Sequence, residues 1–151
     1  MISSELYNYV LKNIPYGSTI LELGSGNGTE LLSKYYTMYS IEHDNSWVDK
    51  FTSNYIYAPL VNNLWYDVEI IKEKIPKHYD LLLVDGPPKS FRRKLFWENR
   101  YLFDLSKTII LDDTVRKDEL NMALKFKTIG YRVQFISAQN GKKGFAVITN
   151  P

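Results

Sequence analysis

The sequence predicts one α/β domain over residues 1–151, in which helices cover both faces of a mostly parallel, seven-stranded sheet. Short apolar runs of strand character alternate with segments of helical spacing along the chain, as expected of parallel sheets with helical crossovers. The chain ends in two strand patterns joined by the turn AQNGKKG, a hairpin that gives the sheet an antiparallel last strand. These patterns together predict a three-layer sandwich.

The first half of the chain predicts three helices and three strands. Leu6, Val10 and Ile14 have helical spacing, and the strand patterns that follow are short, apolar and bounded by turn residues. In order, we predict a helix over 3–14 capped by Ser3 or Ser4, a strand over 18–23, a helix over 28–36 opening at glycines, a strand over 38–42, a helix over 45–54 capped by Asn45 or Ser46, and a strand over 55–61 interrupted by Pro59.

The second half continues the alternation up to the final hairpin. Residues 79–85 are almost all apolar, which is typical of a parallel strand covered on both faces. In order, we predict a helix over 67–75 capped by Asp67, the strand over 79–85, a helix over 91–105, a strand over 108–113, a helix over 116–130 closed by Gly130, and strands over 131–137 and 144–150.

The composition excludes several classes of protein. The net charge of +2 is too small to argue for nucleic acid as a partner. No apolar run approaches the roughly 18 residues of a membrane span, and the first residues lack the pattern of a signal peptide. The absence of cysteine excludes disulfides and thiolate metal sites, and it fits a reducing cytoplasm. We therefore expect a cytoplasmic protein with no membrane segment.

Three glycines follow the first strand, in the stretch ELGSGNG. Gly24, Gly26 and Gly28 let a turn adopt positive φ and let a ligand lie against the backbone. The dinucleotide fingerprint requires a small residue at position 29, and Thr29 argues against a nicotinamide cofactor. The pattern E-x-G-x-G-x-G resembles the first motif of class I methyltransferases that use S-adenosylmethionine. Five βα units followed by an antiparallel hairpin also resemble their Rossmann-like fold.

This resemblance implies S-adenosylmethionine as the cofactor. Glu42, 18 residues beyond Gly24, ends the second strand, where an acidic side chain can accept both ribose hydroxyls. Glu22 would attract the ammonium of the ligand, often through water. The implied cofactor-binding residues are Glu22, Gly24, Gly26, Gly28, Glu42, His43 and Asp85.

Acidic residues close the fourth and fifth predicted strands. Asp85, Asp112 and Asp113 should meet at one sheet edge, where like charges repel unless a cation joins them. Three oxygen ligands suit Mg²⁺, Mn²⁺ or Ca²⁺. The arrangement is similar to metal-dependent O-methyltransferases, which implies a metal on these residues and catalytic roles for Asp85, Asp112 and Lys89. Lys89 is the first candidate for the base and His43 the second. The alternative is that these aspartates only cap turns and helices.

The stretch VDGPPKS allows a second interpretation. Amine methyltransferases carry D/N-P-P-aromatic at this place, but here Gly86 intervenes and Lys89 replaces the aromatic residue. The stretch more closely resembles a group of small methyltransferase-like proteins, some found beside glycan genes. Lys89, Arg92, Arg93 and Lys94 either meet an anion or form a solvated helix face. Trp65 or Tyr66 either stacks on a sugar or on adenine, or belongs to the core.

The function that we expect is S-adenosylmethionine-dependent methylation of a hydroxyl on a sugar, a polysaccharide or another small polar acceptor. Two alternatives remain: N-methylation of an amine or nucleic acid, with Arg92 in a basic patch, and a non-catalytic binding module with the same fold. The predicted loops between elements are short, so the site should be open. Either a large acceptor or a second copy of the chain, in a homodimer, would then cover it.

Overall fold

The structure is a computed structural model that describes residues 1–151. Its helices are α1 (Ser4–Asn13), α2 (Asn27–Leu32), α3 (Val68–Lys74), α4 (Ser90–Arg93), α5 (Phe96–Asn99) and α6 (Lys117–Thr128), with short 3₁₀ turns at Arg100–Leu102 and Gln139–Gly141. Its strands are β1 (Thr19–Leu23), β2 (Thr37–Glu42), β3 (Asn54–Tyr57), β4 (Leu60–Val61), β5 (Trp65–Tyr66), β6 (Leu81–Val84), β7 (Thr108–Asp112), β8 (Arg132–Ala138) and β9 (Lys143–Thr149).

Seven of the strands form one sheet in the order β3-β2-β1-β6-β7-β9-β8. The pairs from β3 through β7 are parallel, whereas β9 lies antiparallel between β7 and β8. This arrangement confirms the predicted fold class, including the antiparallel last strand. The strands β4 and β5 form a separate two-stranded ribbon. None of the helices has the length and apolarity that crossing a membrane requires.

The apolar strands supply a core on each face of the sheet, because successive side chains of a strand point to opposite faces. In β6, Leu82 and Val84 join the cluster that contains Phe96 and Phe126, while Leu81 and Leu83 join the other cluster. The second cluster also contains Leu6 from α1 and Leu32 from α2. All residues of β6 are buried, as the apolar run predicts.

Several element boundaries follow directly from local chemistry. The hydroxyl of Ser3 accepts a hydrogen bond from Leu6 N and caps α1, and the carboxylate of Asp67 accepts from Glu69 N and caps α3. Gly130 follows α6 with φ +97°, a left-handed conformation that suits the end of a helix. These predicted caps and the final hairpin are confirmed.

The helix predicted over 45–54 is wrong. Residues 45–49 form turns and residues 50–53 form bends, with hydrogen bonds such as Trp47 N to Asp44 O at 3.0 Å. Asp44 competes for the backbone, since its carboxylate accepts from Ser46 N at 2.9 Å. Asp49 has φ +61°, which interrupts any helix. A loop therefore connects β2 to β3, and Trp47 lies within it.

Two other predicted elements are divided. The strand predicted over 55–61 breaks before Pro59 into β3 and β4, and β4 pairs with β5 outside the main sheet. The helix predicted over 91–105 consists of α4, α5 and a 3₁₀ turn. Hydrogen bonds between residues three apart, such as Leu95 N to Arg92 O at 3.0 Å, tighten the backbone between α4 and α5.

Candidate active-site cleft

A cleft of about 850 Å³ lies at the carboxyl edge of the sheet. The strand order reverses between β1 and β6, which is where ligands bind in open α/β sheets. Glu42, His43, Asp44 and Trp47 line one end, which we call the β2 side. The other end is called the β7 side, and it is lined by Asp85, Lys89, Arg93, Asp113, Arg116 and Lys143.

Gly24 and Gly86 bring two loops into backbone contact at the centre of the cleft. Gly24 has φ +85°, and a Cβ there would lie 3.2 Å from both Asp85 O and Gly86 Cα. A Cβ on Gly86 would collide with the hydroxyl of Tyr66 and lie 3.0 Å from Gly24 Cα. The glycine within VDGPP is therefore required by the close approach of the two loops.

Gly26 and Gly28 have different surroundings from Gly24. Gly26 is extended, and a Cβ there would meet nothing within 4 Å, so this part of the cleft floor is bare backbone. Gly28 is buried and lies outside the cleft lining, and a Cβ there would lie 3.0 Å from the side chain of Ile2. Gly28 is one of the predicted cofactor-binding residues, and it packs against Ile2 near the start of the chain instead of lining the cleft.

Glu22 lies beneath the glycine loop and outside the cleft lining. Its side chain accepts hydrogen bonds from the hydroxyls of Thr29 and Ser40, which join β1 to α2 and β2. Burial raises the pKa of Glu22 to about 8, so the carboxyl is largely neutral at pH 7. The carboxyl is thus buried, hydrogen-bonded and neutral, and its predicted attraction for an ammonium stays a prediction.

Glu42 fixes the glycine loop to the loop that follows β2. Oε2 accepts from Ser25 N at 3.0 Å, and Oε1 accepts from His43 N at 2.8 Å and Asp44 N at 2.9 Å. A weaker contact at 3.3 Å joins the Ser25 hydroxyl to Oε2. His43 Nδ1 lies 3.0 Å from Oε1. The carboxylate therefore reaches the cleft at the tip of β2, where the sequence places it, with its backbone partners in position.

Trp47 is the aromatic residue that lines the cleft, and sequence reasoning missed it by placing it on a helix. Its ring is half-buried on the β2 side, with Lys50 Nζ 3.8 Å from the ring centroid. Trp65 and Tyr66, the predicted stacking candidates, are 5% and 1% exposed and belong to the core. The signal in the sequence that could have identified Trp47 is its position shortly after Glu42, the acidic residue that ends the second strand.

Asp85, Asp112 and Asp113 converge as the sequence predicts, with one oxygen of each within 4.8 Å of the others. The buried guanidinium of Arg93 lies among them. Nη1 donates to Asp113 Oδ2 at 2.8 Å, and Nη2 donates to the backbone oxygen of Asp85 at 2.8 Å. Arg93 also faces Asp85 Oδ1 at 3.4 Å and Glu119 Oε1 at 3.7 Å. A cation that belongs to the chain therefore occupies the acidic cluster.

The three aspartates differ in the pKa that their surroundings impose. Burial, together with the charges of the nearby Asp85 and Asp113, raises the pKa of Asp112 to about 7. Burial also raises the pKa of Asp85, against the opposing charge of Arg93. Burial acts in the same direction on Asp113, but the hydrogen bond and charge of Arg93 outweigh it and lower the pKa. The cluster therefore contains two aspartates with a raised pKa beside one with a lowered pKa.

Some carboxylate oxygens of the cluster are engaged by the chain itself, and others accept no hydrogen bond. Asp113 Oδ2 is held by Arg93 and lies 3.3 Å from Arg116, and Asp112 Oδ1 accepts from Asp113 N at 2.8 Å. Asp112 Oδ2 is buried without a partner. Arg93 already supplies positive charge to Asp85 and Asp113, and a divalent ion on the three aspartates stays a prediction.

The basic residues of the KSFRRK stretch have separate roles. Lys89 lines the cleft and is exposed, and its ammonium makes no hydrogen bond or ion pair. Arg92 is bound by the backbone and side-chain oxygens of Asn63 at 2.9 and 2.6 Å. Arg93 holds the acidic cluster. Sequence reasoning missed Arg116 and Lys143, which reach the cleft from elements far along the chain.

Comparisons with known proteins identify the fold. The sequence matches no protein-family model, and no curated protein sequence matches it. A precorrin 8w decarboxylase from Methanobacterium thermoautotrophicum is similar in structure over 100% of this chain and 92% of its own, with 12% identity and a TM-score of 0.67. A methyltransferase from Pyrococcus furiosus is similar over 95% of this chain and 80% of its own, with 16% identity and a TM-score of 0.64.

A third structure is the mycinamycin biosynthetic methyltransferase MycE in complex with Mg, S-adenosylhomocysteine and mycinamycin VI. It is similar over 97% of this chain but only 45% of its own, with 16% identity and a TM-score of 0.58. At these identities the likeness concerns the fold alone. The chain has the class I methyltransferase fold, which confirms the resemblance predicted from its motifs.

Proposed function

We propose that the chain is an S-adenosylmethionine-dependent methyltransferase that acts on a hydroxyl of a sugar, a polysaccharide or another small polar acceptor. One observation carries the proposal. At the switch point of a class I methyltransferase fold, the cleft has a floor of bare backbone at Gly26 and a carboxylate, Glu42, beside it. Several structures of this fold are named as methyltransferases, and MycE was solved with S-adenosylhomocysteine.

In this proposal the β2 side and the glycine loop hold the cofactor. Gly24 and Gly26 allow it to lie against the backbone, and the ribose hydroxyls bind Glu42 in place of the long contact from the Ser25 hydroxyl. Trp47 offers an aromatic face to the adenine. His43 also lines the β2 side, beside Glu42, and we include it among the cofactor-binding residues.

The β7 side would receive the acceptor. When bound, S-adenosylmethionine supplies an electrophilic methyl group for in-line attack by an oxygen nucleophile. Asp85 is our candidate for the base, because its carboxylate lines the cleft beside the glycine loop and can accept the hydroxyl proton. The ammonium of Lys89 has only donors, so we assign it to binding the acceptor rather than to removing the proton.

The metal predicted on Asp85, Asp112 and Asp113 stays a prediction, and the proposed mechanism passes no step through it. Arg93 and Asp112 act as positioning residues in this account. Arg93 holds the Asp85 loop through its backbone oxygen, and Asp112 fixes the turn at Asp113 N. Arg93 thereby keeps the carboxylate of Asp85 at the cleft, Asp112 orients the turn that carries Asp113, and neither contacts an acceptor in this proposal.

Calorimetric titration with S-adenosylhomocysteine tests the proposal. We expect saturable binding to the unmodified protein and about tenfold weaker binding to Glu42→Gln, which loses a charge-assisted acceptor for the ribose. Trp47→Leu should also weaken binding. Glu69→Gln is the matched control, since Glu69 is an exposed glutamate on α3 outside the cleft lining. Absence of heat with the unmodified protein would leave only the non-catalytic module.

A further inference from the structure

Cationic side chains reach the β7 side of the cleft from three separate elements. Lys89 immediately precedes α4, Arg116 immediately precedes α6, and Lys143 is the first residue of β9. Because β9 is antiparallel to β7, with Phe145 opposite Asp112, its first residue lies at the edge where β7 ends. The topology thus gathers charges that are far apart in the sequence.

The carboxylates that line the β7 side leave these three cations with hydrogen-bond donors that are not used in ion pairs. The two that line it, Asp85 and Asp113, face Arg93 at 3.4 and 2.8 Å. Arg116 adds a longer contact of 3.3 Å to Asp113 and a still longer one of 3.8 Å to the buried Glu119, but its side chain is 48% exposed. Its guanidinium therefore keeps N–H donors directed to solvent.

Lys143 and Lys89 keep still more of their donors. Lys143 Nζ donates one hydrogen bond, at 2.6 Å, to the backbone oxygen of Met1, and an ammonium has three donors. The ammonium of Lys89 makes no hydrogen bond or ion pair, and the side chain is exposed. The acidic residues Glu42 and Asp44 belong to the β2 side of the cleft. The β7 side thus has positive charge without a partner.

The backbone conformation of Lys89 independently supports a functional role for this residue. Lys89 has φ +79°, a left-handed conformation that favours glycine, yet the residue there carries a long cationic side chain. Strained backbone of this kind concentrates at functional sites. Here it presents an ammonium in the lining of the cleft, at the entrance to α4.

We propose that the acceptor carries an anionic group, a carboxylate or a phosphate, which Lys89, Arg116 and Lys143 bind on the β7 side. This inference rests on the proposed methyl transfer and narrows its acceptor to an acidic one. The anion would sit above the Arg93 cluster and hold the acceptor with its hydroxyl toward Asp85. Lysine and arginine donors from three elements give such a group a fixed orientation.

The test uses ¹⁵N-labelled protein saturated with S-adenosylhomocysteine, titrated with inorganic phosphate or with acetate at constant ionic strength. We expect saturable shifts of the backbone amides of Lys89, Arg116 and Lys143. Lys89→Met and Arg116→Gln should each weaken the binding of the preferred anion about tenfold, as for the loss of one charged partner. The arm that saturates at lower concentration distinguishes a phosphate from a carboxylate.

Matched controls are Lys77→Met and Arg132→Gln, which remove exposed cations at the opposite edge of the sheet and should leave anion binding unchanged. Dispersed spectra show that each variant folds. The inference is overturned if neither anion gives saturable shifts at tens of millimolar, or if the controls weaken binding as much as the cleft variants do. Shifts with phosphate but none with S-adenosylhomocysteine would instead overturn the proposed methyl transfer.

Discussion

Glu22 illustrates how the environment of a single residue decides its chemistry. The sequence places a carboxylate two residues before the glycine turn, where it could reach a ligand. The fold turns it inward, so that it joins Thr29 and Ser40 beneath the loop. Its burial favours the protonated form, and the group becomes a hydrogen-bonded connection among three elements.

This burial predicts a pH dependence of stability. The pKa of Glu22 is about 8 in the folded chain, against 4.5 for the ordinary group. Between these values the native state holds a proton that the unfolded state has lost, so its contribution to the free energy of unfolding falls as pH rises. Relative to Glu22→Gln, the unmodified protein should lose on the order of a few kcal/mol between pH 5 and 8.

Urea unfolding of both proteins at several pH values measures this difference. Glu69→Gln controls for the loss of a carboxylate, since its side chain is 83% exposed. Parallel curves for the unmodified protein and Glu22→Gln across this pH range would contradict the buried, protonated state.

We predict that Gly24 matters for the stability of the fold and that Gly26 matters for ligand binding. Gly24→Ala should cost about 1–3 kcal/mol of stability, because its φ of +85° strains any side chain and its Cβ would press on Asp85 O. Gly26→Ala should stay within about 0.5 kcal/mol, since its Cβ would meet nothing. Gly26→Leu should keep the fold and block S-adenosylhomocysteine, as measured by thermal unfolding and calorimetry. Equal affinity in Gly26→Leu would contradict the placement of the ligand.

The residues predicted from the sequence were those fixed by strand ends. Glu42 and the three aspartates follow apolar runs, and parallel strands bring their carboxyl ends to one edge. Trp47 could not be placed, because the Asp44 turn that carries it competes with a helical pattern. The role of Arg93 depends on contacts across 20 residues to Asp113, which no local pattern encodes.

At the scale of elements, Arg93 joins the short helix α4 to its surroundings. It bonds the turn after β6 and the turn after β7, and it faces Glu119 of α6. α4 has only four residues, too few for a helix to be stable alone. We infer that this buried guanidinium, rather than helical propensity, holds the KSFRRK segment against the sheet.

Removing that guanidinium should therefore be severe. Arg93→Met leaves buried carboxylates without their counter-ion and should cost about 3–5 kcal/mol of unfolding free energy. Lys94→Met is the neighbouring control, because Lys94 is exposed, and it should change little. Urea unfolding at pH 7 compares them, and a loss under about 1 kcal/mol for Arg93→Met would contradict the role of Arg93 as the central cation.

The same cluster predicts weak binding of divalent ions. Because the guanidinium of Arg93 faces both Asp85 and Asp113 and competes with a metal ion for their oxygens, we expect Mn²⁺ to bind the unmodified protein only at millimolar levels, and Asp112→Asn to weaken it further. Paramagnetic resonance of free Mn²⁺ measures the affinity, and Asp118→Asn on α6 outside the cleft lining is the control. Micromolar binding by the unmodified protein would contradict this expectation and support the metal predicted from the sequence.

At the scale of the whole molecule, the fold was the feature that the sequence predicted best. The alternation of patterns from residue 18 to residue 150 predicts the sheet, because apolar strands need helices packed on both faces of the sheet. What the patterns could not give is the meeting of Lys89, Arg116 and Lys143, which depends on the antiparallel insertion of β9 beside β7. The predicted homodimer stays a prediction, tested by the mass of the protein in solution.

A crystal structure with S-adenosylhomocysteine tests the central claim most directly. The account predicts density along the bare backbone of Gly26, with the ribose hydroxyls within hydrogen-bond distance of Glu42 and the sulfur directed toward the β7 side. Glu42→Gln crystals grown in the same way serve as the comparison. A cleft without density at saturating ligand, or ligand bound away from the glycine loop, would contradict the account.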